Sequence, residues 1–263
     1  MSTQPLIIGH RGASAVAPEN TLAAFARAIQ DGADGIEFDV RLSRDRVPVV
    51  IHDATLERTG LVNRLVGELT SKELQQIGVG SWFARGAKSP QVSYASEKIP
   101  SLAQVFELFS QNRKLLYLEM KCDGGEGAVL AAEVVCLIAR YQMGVRVIVA
   151  SFDLSSIAEV KRLDAGIHTA ALFEPRLTRP LSIVRRMKMV DLAVASGADE
   201  LALHHALVRP RVIEKARQCG LEIVVWTVAG SEWIQRARSL GIKALIANDP
   251  AKMLRLRDGV PAD

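Results

Sequence analysis

Three acidic residues in the chain have the spacing of a cation-binding site. Glu37 and Asp39 lie two positions apart in a mostly apolar run, so their side chains point to the same face if that run is a strand. Glu119 ends another apolar run and can supply a third carboxylate. Because such oxygen ligands favour Mg²⁺ or Ca²⁺ over zinc, the pattern predicts one divalent cation of this kind. The alternative is that these acids form ordinary ion pairs with nearby arginine and lysine side chains.

Two histidines also stand at the ends of predicted strands. His10 comes at the end of the first apolar run, and His52 comes at the end of a later one. A free imidazole titrates near neutral pH, which suits a general acid and a general base. A single histidine is usually structural, but two of them beside three carboxylates indicate catalysis. We therefore predict that His10 and His52 are the catalytic pair.

Cationic side chains stand beside these groups in the sequence. Arg11 directly follows the first histidine, and Lys121 lies two residues after the third acid. An arginine fork and a lysine ammonium can both hold phosphate oxygens, although either residue could simply neutralise the carboxylates. Glu19 could orient Arg11 or a metal-bound water.

Further candidates surround this set. Asn20 and Thr21 precede a helical segment, and we expect both of them to cap that helix. Phe152 and Trp226 follow later strands and could form a wall of the pocket, although Phe152 could equally be a core residue. His205, the second of two adjacent histidines, could reach the rim or be a solvated loop residue.

The elements that must position these residues are short apolar strands separated by helical segments. Eight such runs alternate with amphipathic stretches, a pattern typical of a (β/α)8 barrel, also called a TIM barrel. Because the active sites of such barrels lie at the carboxyl ends of the strands, we expect all the candidates to share one mouth. The predicted barrel strands are 6–9, 35–39, 115–119, 146–150, 167–172, 200–203, 222–226 and 243–247.

A ninth apolar run at residues 48–52 interrupts this rhythm. It follows the second strand after about eight residues, fewer than the ~12 that a parallel crossover needs, so it must return antiparallel. With a turn near residues 44–46, the numbers of opposed residues sum to about 90, which places His52 opposite residues 37–39. The predicted fold is therefore an α/β barrel with an extra β-hairpin strand after strand 2.

The segment from about residue 53 to residue 100 is the longest one without a predicted barrel strand. It has one helical pattern at residues 71–77 and loop signals near residues 78–90. Long loops of this kind often cover the mouth of a barrel, so we predict a small insertion there. The alternative is a disordered surface loop. We expect residues 1–263 to form a single barrel domain with this insertion.

The composition argues against several other classes of protein. The formal charge of +4 suits an anionic substrate, but Lys and Arg are scattered without interleaved aromatic residues, which argues against nucleic-acid binding. Three cysteines without a CxxC pair fit a reducing compartment. The sequence shows neither a signal-peptide pattern nor a clean apolar span. We therefore expect a cytoplasmic protein without stable membrane insertion, and the sequence leaves its oligomeric state open.

Taken in order, these motifs resemble those of the glycerophosphodiester phosphodiesterases. The resemblance spans nearly the whole chain, and the number of motifs found in one order makes it specific. The motifs are His10-Arg11-Gly12, Pro18-Glu19-Asn20-Thr21, Glu37-x-Asp39, His52-Asp53, Thr55-Leu56-x-Arg58-Thr59, Ile99-Pro100-Ser101-Leu102, Glu119-x-Lys121, Ser151-Phe152-Asp153 and Trp226-Thr227-Val228.

The resemblance implies that the three acids bind a divalent cation, that the two histidines act as acid and base, and that Arg11 and Lys121 contact phosphate. The substrate would be a small glycerophosphodiester, hydrolysed to glycerol 3-phosphate and an alcohol. In this family a neighbouring glycerol hydroxyl attacks phosphorus, and the cyclic phosphate is then hydrolysed.

Two other functions stay open at this point. One is a lysophospholipase D or sphingomyelinase D type reaction of the same superfamily, whose acyl channel could include Trp82 and Phe83 of the insertion. The other is a non-catalytic phosphate-binding barrel. Three departures from the family pattern, Arg46, Ala229 and Asn248, leave the catalytic set unchanged, and Ala229 leaves the substrate preference open.

Overall fold

The structure is a computed structural model that describes residues 4–84, 94–122, 125–175 and 183–259. Eight parallel strands form a closed barrel, and a ninth strand is bonded outside it. The sheet order is β1-β9-β8-β7-β6-β5-β4-β2-β3, and a further pairing of β1 with β2 closes the barrel. The strands are β1 (Leu6–His10), β2 (Gly35–Leu42), β3 (Pro48–Val50), β4 (Leu115–Met120), β5 (Val147–Ser151), β6 (His168–Phe173), β7 (Glu200–His204), β8 (Glu222–Trp226) and β9 (Ala244–Ala247).

The helices surround this barrel and connect its strands. The apolar faces of the longer helices pack against the outward residues of the strands and form two large clusters of buried side chains. The helices are α1 (Leu22–Gln30), α2 (Ser71–Leu74), α3 (Ser81–Ala84), α4 (Leu102–Phe109), α5 (Gly127–Arg140), α6 (Leu154–Leu163), α7 (Ile183–Ala195), α8 (Pro210–Gln218), α9 (Glu232–Leu240) and α10 (Pro250–Asp258). The predicted (β/α)8 fold is confirmed.

The interior of the barrel is filled by alternate residues of the strands. Only alternate residues point inward because successive side chains of a strand point to opposite faces of the sheet. The side chains that point into the barrel are mostly small or branched. The inward residues are therefore apolar through the middle of the barrel and become polar towards both ends. The apolar interior cluster consists of Ile8, Tyr117, Ile148, Ala150, Ala170, Leu172, Ala202, Val224, Ala244 and Ile246.

The extra strand β3 pairs antiparallel with β2, as the sequence predicts. Val40 lies opposite Val50, and Leu42 lies opposite Pro48, so the residue numbers of both pairs sum to the expected value. The strand ends at Val50, two residues earlier than the predicted run. The ladder continues as one further hydrogen bond, from the Ile51 amide to the Asp39 carbonyl (3.0 Å). The following residue, His52, is therefore held beside the carboxyl end of β2.

The insertion between β3 and α4 has its own small apolar core. The predicted helical pattern at residues 71–77 forms only the short helix α2, which Thr70 caps by accepting a hydrogen bond from the Glu73 amide. Part of the predicted loop region, residues 85–93, lies outside the described residues. The core consists of Val49, Ile51, Leu56, Val66, Leu69, Leu74, Val79 and Ile99. Among the described residues, no helix is long and apolar enough to span a membrane.

Candidate active site

The register of the barrel strands brings the predicted acids together. His10 of β1 pairs with Glu37 of β2, and Asp39 of β2 pairs with Glu119 of β4, one layer closer to the mouth. All three carboxylates are buried, and one oxygen from each lies within 4.8 Å of the others. Oxygens that converge so closely from adjacent strands form a donor set suited to a hard divalent cation.

The charges of this acidic cluster are only partly balanced by the protein. Burial, with repulsion from Asp39 and Glu119, raises the pKa of Glu37 well above its usual value. Burial and the charge of Asp39 raise the pKa of Glu119 to about 7. Burial also opposes ionisation of Asp39, but Lys121 and Arg11 outweigh it and hold its pKa below the usual range. A bound divalent cation would relieve the repulsion that raises the first two values, so the site fits such an ion.

Arg11 is held in an unusual backbone conformation at the mouth. Its φ angle is 54°, in the left-handed region that a residue with a side chain rarely adopts. This turn directs the Arg11 amide to the Glu37 carboxylate (3.0 Å) and the guanidinium Nε to Asp39 Oδ2 (3.1 Å). Lys121 Nζ lies 3.0 Å from Asp39 Oδ1 and also contacts Glu119. The local strain is thus offset by contacts that fix two cationic groups beside the acids.

Asn20 belongs to this site, and its predicted role as a helix cap is wrong. Its side chain is buried, donates to Asp39 Oδ2 (2.8 Å) and accepts from the Asp39 amide (3.2 Å). Thr21 alone caps α1, where its hydroxyl accepts a hydrogen bond from the Ala24 amide. Asn20 has a φ angle of 58°, in the left-handed region, and its side chain contacts β2. A preference for caps describes local bonds only and could not reveal this contact with a strand that lies far along the chain.

The two histidines have different partners. His10 Nδ1 lies 2.6 Å from the amide oxygen of Asn248, which follows β9, and His10 Nε2 lies 3.8 Å from Glu37. Burial and the charge of Arg11 lower the pKa of His10 to about 4. The amide oxygen can only accept, so Nδ1 carries the proton and the neutral ring presents an unprotonated Nε2. Sequence reasoning noted Asn248 only as a departure from the family pattern and missed this contact.

His52 has an ionised partner instead. Its Nδ1 lies 2.6 Å from Asp53 Oδ1, and Arg58 Nε donates to the other oxygen of Asp53 (2.6 Å). Burial lowers the pKa of His52, while the nearby charge of Asp39 opposes that shift. The Asp53 carboxylate at Nδ1 also opposes this lowering without outweighing burial, whereas the group at Nδ1 of His10 is a neutral amide.

A cavity of about 450 Å³ opens at this mouth and brings the remaining candidates together. Both histidines, Arg11, Lys121, Phe152 and Trp226 line it, together with acids of the cluster. The rings of Phe152 and Trp226 meet edge to face at 5.7 Å and form an aromatic wall. His205 is not among the lining residues, and its Nδ1 lies 3.0 Å from the Thr227 carbonyl oxygen.

The position of the site defines a class of protein. Barrel enzymes carry their active sites at the carboxyl-terminal mouth, where loops and strand ends supply the reactive groups. Cationic side chains beside two differently paired histidines suit an anionic ester whose cleavage needs both a base and an acid. The fold and the site together define a barrel hydrolase of anionic esters.

Comparison with known proteins narrows this class to one family. The chain belongs to the glycerophosphoryl diester phosphodiesterase family, whose model matches residues 10–252, and it is a phosphodiesterase. It is 32% identical over 251 residues to a glycerophosphodiester phosphodiesterase of Caldanaerobacter subterraneus subsp. tengcongensis, with 95% of this chain and 97% of the relative covered. The predicted family is therefore confirmed.

Solved structures support the same assignment. The chain superimposes with a TM-score of 0.84 and 25% identity on an Oleispira antarctica phosphodiesterase in complex with the product sn-glycerol-3-phosphate, and 97% of each chain is covered. A glycerophosphodiester phosphodiesterase from Agrobacterium tumefaciens str. C58 has a TM-score of 0.75 and 28% identity, with 94% of this chain and 98% of that chain covered. Both comparisons extend over nearly the full length of the barrel.

Proposed function

We propose that the protein hydrolyses small glycerophosphodiesters to glycerol 3-phosphate and an alcohol, with one divalent cation, Mg²⁺ or Ca²⁺. The observation that carries this proposal is the cavity that both histidines, the acidic cluster and the two cationic residues share. Its volume, about 450 Å³, suits a small polar diester. The product bound to the similar Oleispira antarctica enzyme supports the same substrate class.

Glu37, Asp39 and Glu119 are the residues that would hold the cation. When bound, such an ion stabilises charge on the phosphoryl oxygens and makes a nearby hydroxyl easier to deprotonate. Mg²⁺ and Ca²⁺ fit this set better than zinc because all three donors are carboxylate oxygens.

The two histidines are proposed to divide the proton transfers according to their partners. His10 keeps its proton on Nδ1 by donating to Asn248, so Nε2 is available to accept the proton of the attacking glycerol hydroxyl. His52, paired with the carboxylate of Asp53, is suited to donate a proton to the departing alcohol. The roles are exchanged when water hydrolyses the cyclic phosphate, because the second step reverses the direction of proton transfer.

The cationic and aromatic residues are proposed to hold the two ends of the substrate. Arg11 and Lys121 neutralise the phosphoryl oxygens as charge develops on them. Phe152 and Trp226 pack against the organic part of the diester. Trp82 and Phe83 are not among the residues that line this cavity, so an acyl channel built from them finds no support in the described part of the insertion.

We also propose that residues 1–263 form a single domain. The first strand, β1, pairs with both β2 and the last strand, β9, so the barrel cannot close without both ends of the chain. The cytoplasmic location stays a prediction from the sequence.

The test of this function is release of glycerol 3-phosphate from glycerophosphocholine and glycerophosphoethanolamine, with EDTA and then with added Mg²⁺ or Ca²⁺. We expect release only with the metal, and a loss of about 10²- to 10⁴-fold in both His10→Ala and His52→Ala. Both variants should still bind the metal. Turnover of lysophospholipids but not of these diesters would favour the lysophospholipase D type, and turnover of neither would favour a binding protein.

A further inference from the structure

Arg58 belongs to a predicted motif, but the proposed chemistry gives it no role. It lies in the insertion that follows β3, and its guanidinium contacts two carboxylates at once. Nη1 and Nη2 donate to the two oxygens of Glu19 (2.8 and 2.7 Å), and Nε donates to Asp53 Oδ2 (2.6 Å). These are the short distances of charge-assisted hydrogen bonds, so Arg58 bridges the two acids through three firm contacts.

Each of these carboxylates also contacts a residue of the cavity. Asp53 Oδ1 lies 2.6 Å from His52 Nδ1, and Glu19 Oε1 accepts from Arg11 Nη1 at 2.7 Å. Arg58 is therefore the middle member of a continuous network from the histidine to the arginine. The network joins the hairpin side of the mouth to the turn after β1.

The shape of the arginine side chain explains why this residue can join the two carboxylates. A guanidinium presents its donors in a rigid plane, so one edge can hold a carboxylate bidentately while Nε serves another. A lysine ammonium is a point charge and cannot impose both orientations together. The Arg58 guanidinium also lies over the ring of Trp82 in α3, with its central carbon 5.6 Å from the ring centroid.

The charge states of the two acids agree with this arrangement. Although burial opposes ionisation, the hydrogen bond from Arg58 leads the contacts that lower the pKa of Glu19. Burial opposes ionisation of Asp53 as well, but its hydrogen bonds with Arg58 and His52 lower its pKa. Both acids are therefore ionised near neutral pH. Without the guanidinium, two carboxylates beside reactive groups would lose the contact that fixes their rotamers.

We propose that Arg58 is a positioning residue of the phosphodiesterase reaction, which orients His52 through Asp53 and Arg11 through Glu19. The inference rests on the proposed function. Arg58 is not among the residues that line the cavity, so it acts on the substrate only through these two neighbours. Its loss should affect both the proton transfer and the binding of phosphate.

The experiment compares Arg58→Ala, Arg58→Lys and wild-type protein on glycerophosphocholine with saturating metal. For Arg58→Ala we expect kcat to fall about 10- to 100-fold, the range seen when outer partners of reactive groups are removed. KM should rise because Glu19, without its contacts to Arg58, holds Arg11 less firmly. Guanidinium ion added at millimolar concentration should restore part of the lost kcat, and Arg58→Lys should remain impaired.

Arg64→Ala is the matched control. Arg64 lies in the same segment, but its ion pair joins it to Glu68 four residues later, and both side chains are about half exposed (48% and 50%). We expect its kcat and KM to stay within about twofold of wild type, because an exposed pair of this kind contributes little.

Two results would overturn the proposal. One is an Arg58→Ala variant with wild-type kcat and KM. The other is an Arg58→Ala variant whose activity falls only as far as its folded fraction and is not restored by guanidinium ion. That result would make Arg58 a purely structural residue. If the wild-type protein itself releases no glycerol 3-phosphate, the proposed function fails. The positioning role of Arg58 is then tested by the nitrogen NMR signals of the His52 ring. Unchanged ring signals in Arg58→Ala would reject the positioning role.

Discussion

The two ends of the barrel carry similar groups that are arranged differently. At the amino end, Glu200 and Glu222 begin β7 and β8, His168 begins β6, and Lys243 immediately precedes β9. Lys243 Nζ lies 2.6 Å from Glu200 Oε1 and 2.5 Å from Glu222 Oε2, and His168 Nε2 lies 3.1 Å from Glu200 Oε1. The lysine ammonium thus occupies the position where a cation would bind between these acids.

The carboxyl end differs in its balance of charge. Three buried carboxylates converge there, the pKa values of Glu37 and Glu119 are raised by burial and mutual repulsion, and the cluster faces the cavity. Lys121 also lies between two acids at the carboxyl end, but Glu37 stays there as a third buried carboxylate beside the cavity. At the amino end, Lys243 contacts both Glu200 and Glu222. The comparison shows that residue types alone do not identify a cation site. What matters is whether the protein leaves a surplus of negative charge among the buried carboxylates.

The largest effect is expected when a carboxylate of the acidic cluster at the carboxyl end is replaced by its amide. We expect Glu37→Gln to lower activity at least about a thousandfold, because the contribution of a catalytic cation is several kcal/mol. Stability in EDTA should not fall, because the neutral amide removes a charge that burial disfavours. Activity and thermal unfolding are measured on one preparation. A variant that stays active, or one that unfolds well below wild type, would contradict the assignment.

The matching substitution at the amino end should have the opposite result. Glu200 is fully buried, and Glu200→Gln weakens its contacts with Lys243 and His168. We expect the free energy of unfolding to fall by about 3 kcal/mol, as when one partner of a buried ion pair is lost. Urea unfolding measures this loss, while kcat of the folded protein should be unchanged.

Glu222→Gln provides the control for that measurement. Glu222 shares the contact with Lys243, but its side chain is 49% exposed. We expect Glu222→Gln to lower the free energy of unfolding by about 1 kcal/mol or less, as is usual when an ion pair in contact with solvent is lost. Equal losses for the two glutamates would mean that burial does not distinguish them.

The histidines extend the comparison, because the partner of His10 is a neutral amide whereas His168 has a carboxylate partner. We expect Asn248→Ala to lower kcat about 10-fold, since the His10 ring loses the acceptor that fixes its tautomer. Ser14→Ala is the control, because the Ser14 hydroxyl also donates to Asn248 (3.3 Å) but lies outside the proposed proton transfers. Steady-state kinetics on glycerophosphocholine separate the two variants, and equal losses would refute the orienting role of the amide.

The accuracy of sequence reasoning differed between these regions for physical reasons. The strands and the hairpin register could be predicted because the pattern of a strand is visible in consecutive residues of the sequence. The predicted register placed His52 correctly beside β2. Asn20 was wrongly predicted to be a cap, and Arg58 was named only as part of a motif, since the partners of both residues are decided by packing at the mouth. Helix α2 is shorter than its pattern and ends at Leu74, which packs into the core of the insertion.

The smallest expected effect is a pH dependence of stability at the amino end. The close contact with the Glu200 carboxylate is the largest of the effects that raise the pKa of His168 above its usual value. A histidine with a raised folded-state pKa stabilises the protein fully below about pH 6.5, and this contribution is lost as the pH rises through the folded-state value. Because the side chain is 40% exposed, we expect about 1 kcal/mol or less.

Urea unfolding of wild type and His168→Gln between about pH 5.5 and about pH 8.5 measures that contribution. The difference in stability between the two proteins should be largest at the acidic end and should shrink towards the alkaline end. A difference that stays constant over this range would mean that His168 does not gain a proton from its position beside Glu200. Catalytic activity should be the same in both proteins at every pH, because the amino end of the barrel lies away from the cavity. An altered pH–rate profile in His168→Gln would instead show that the two ends of the barrel are coupled.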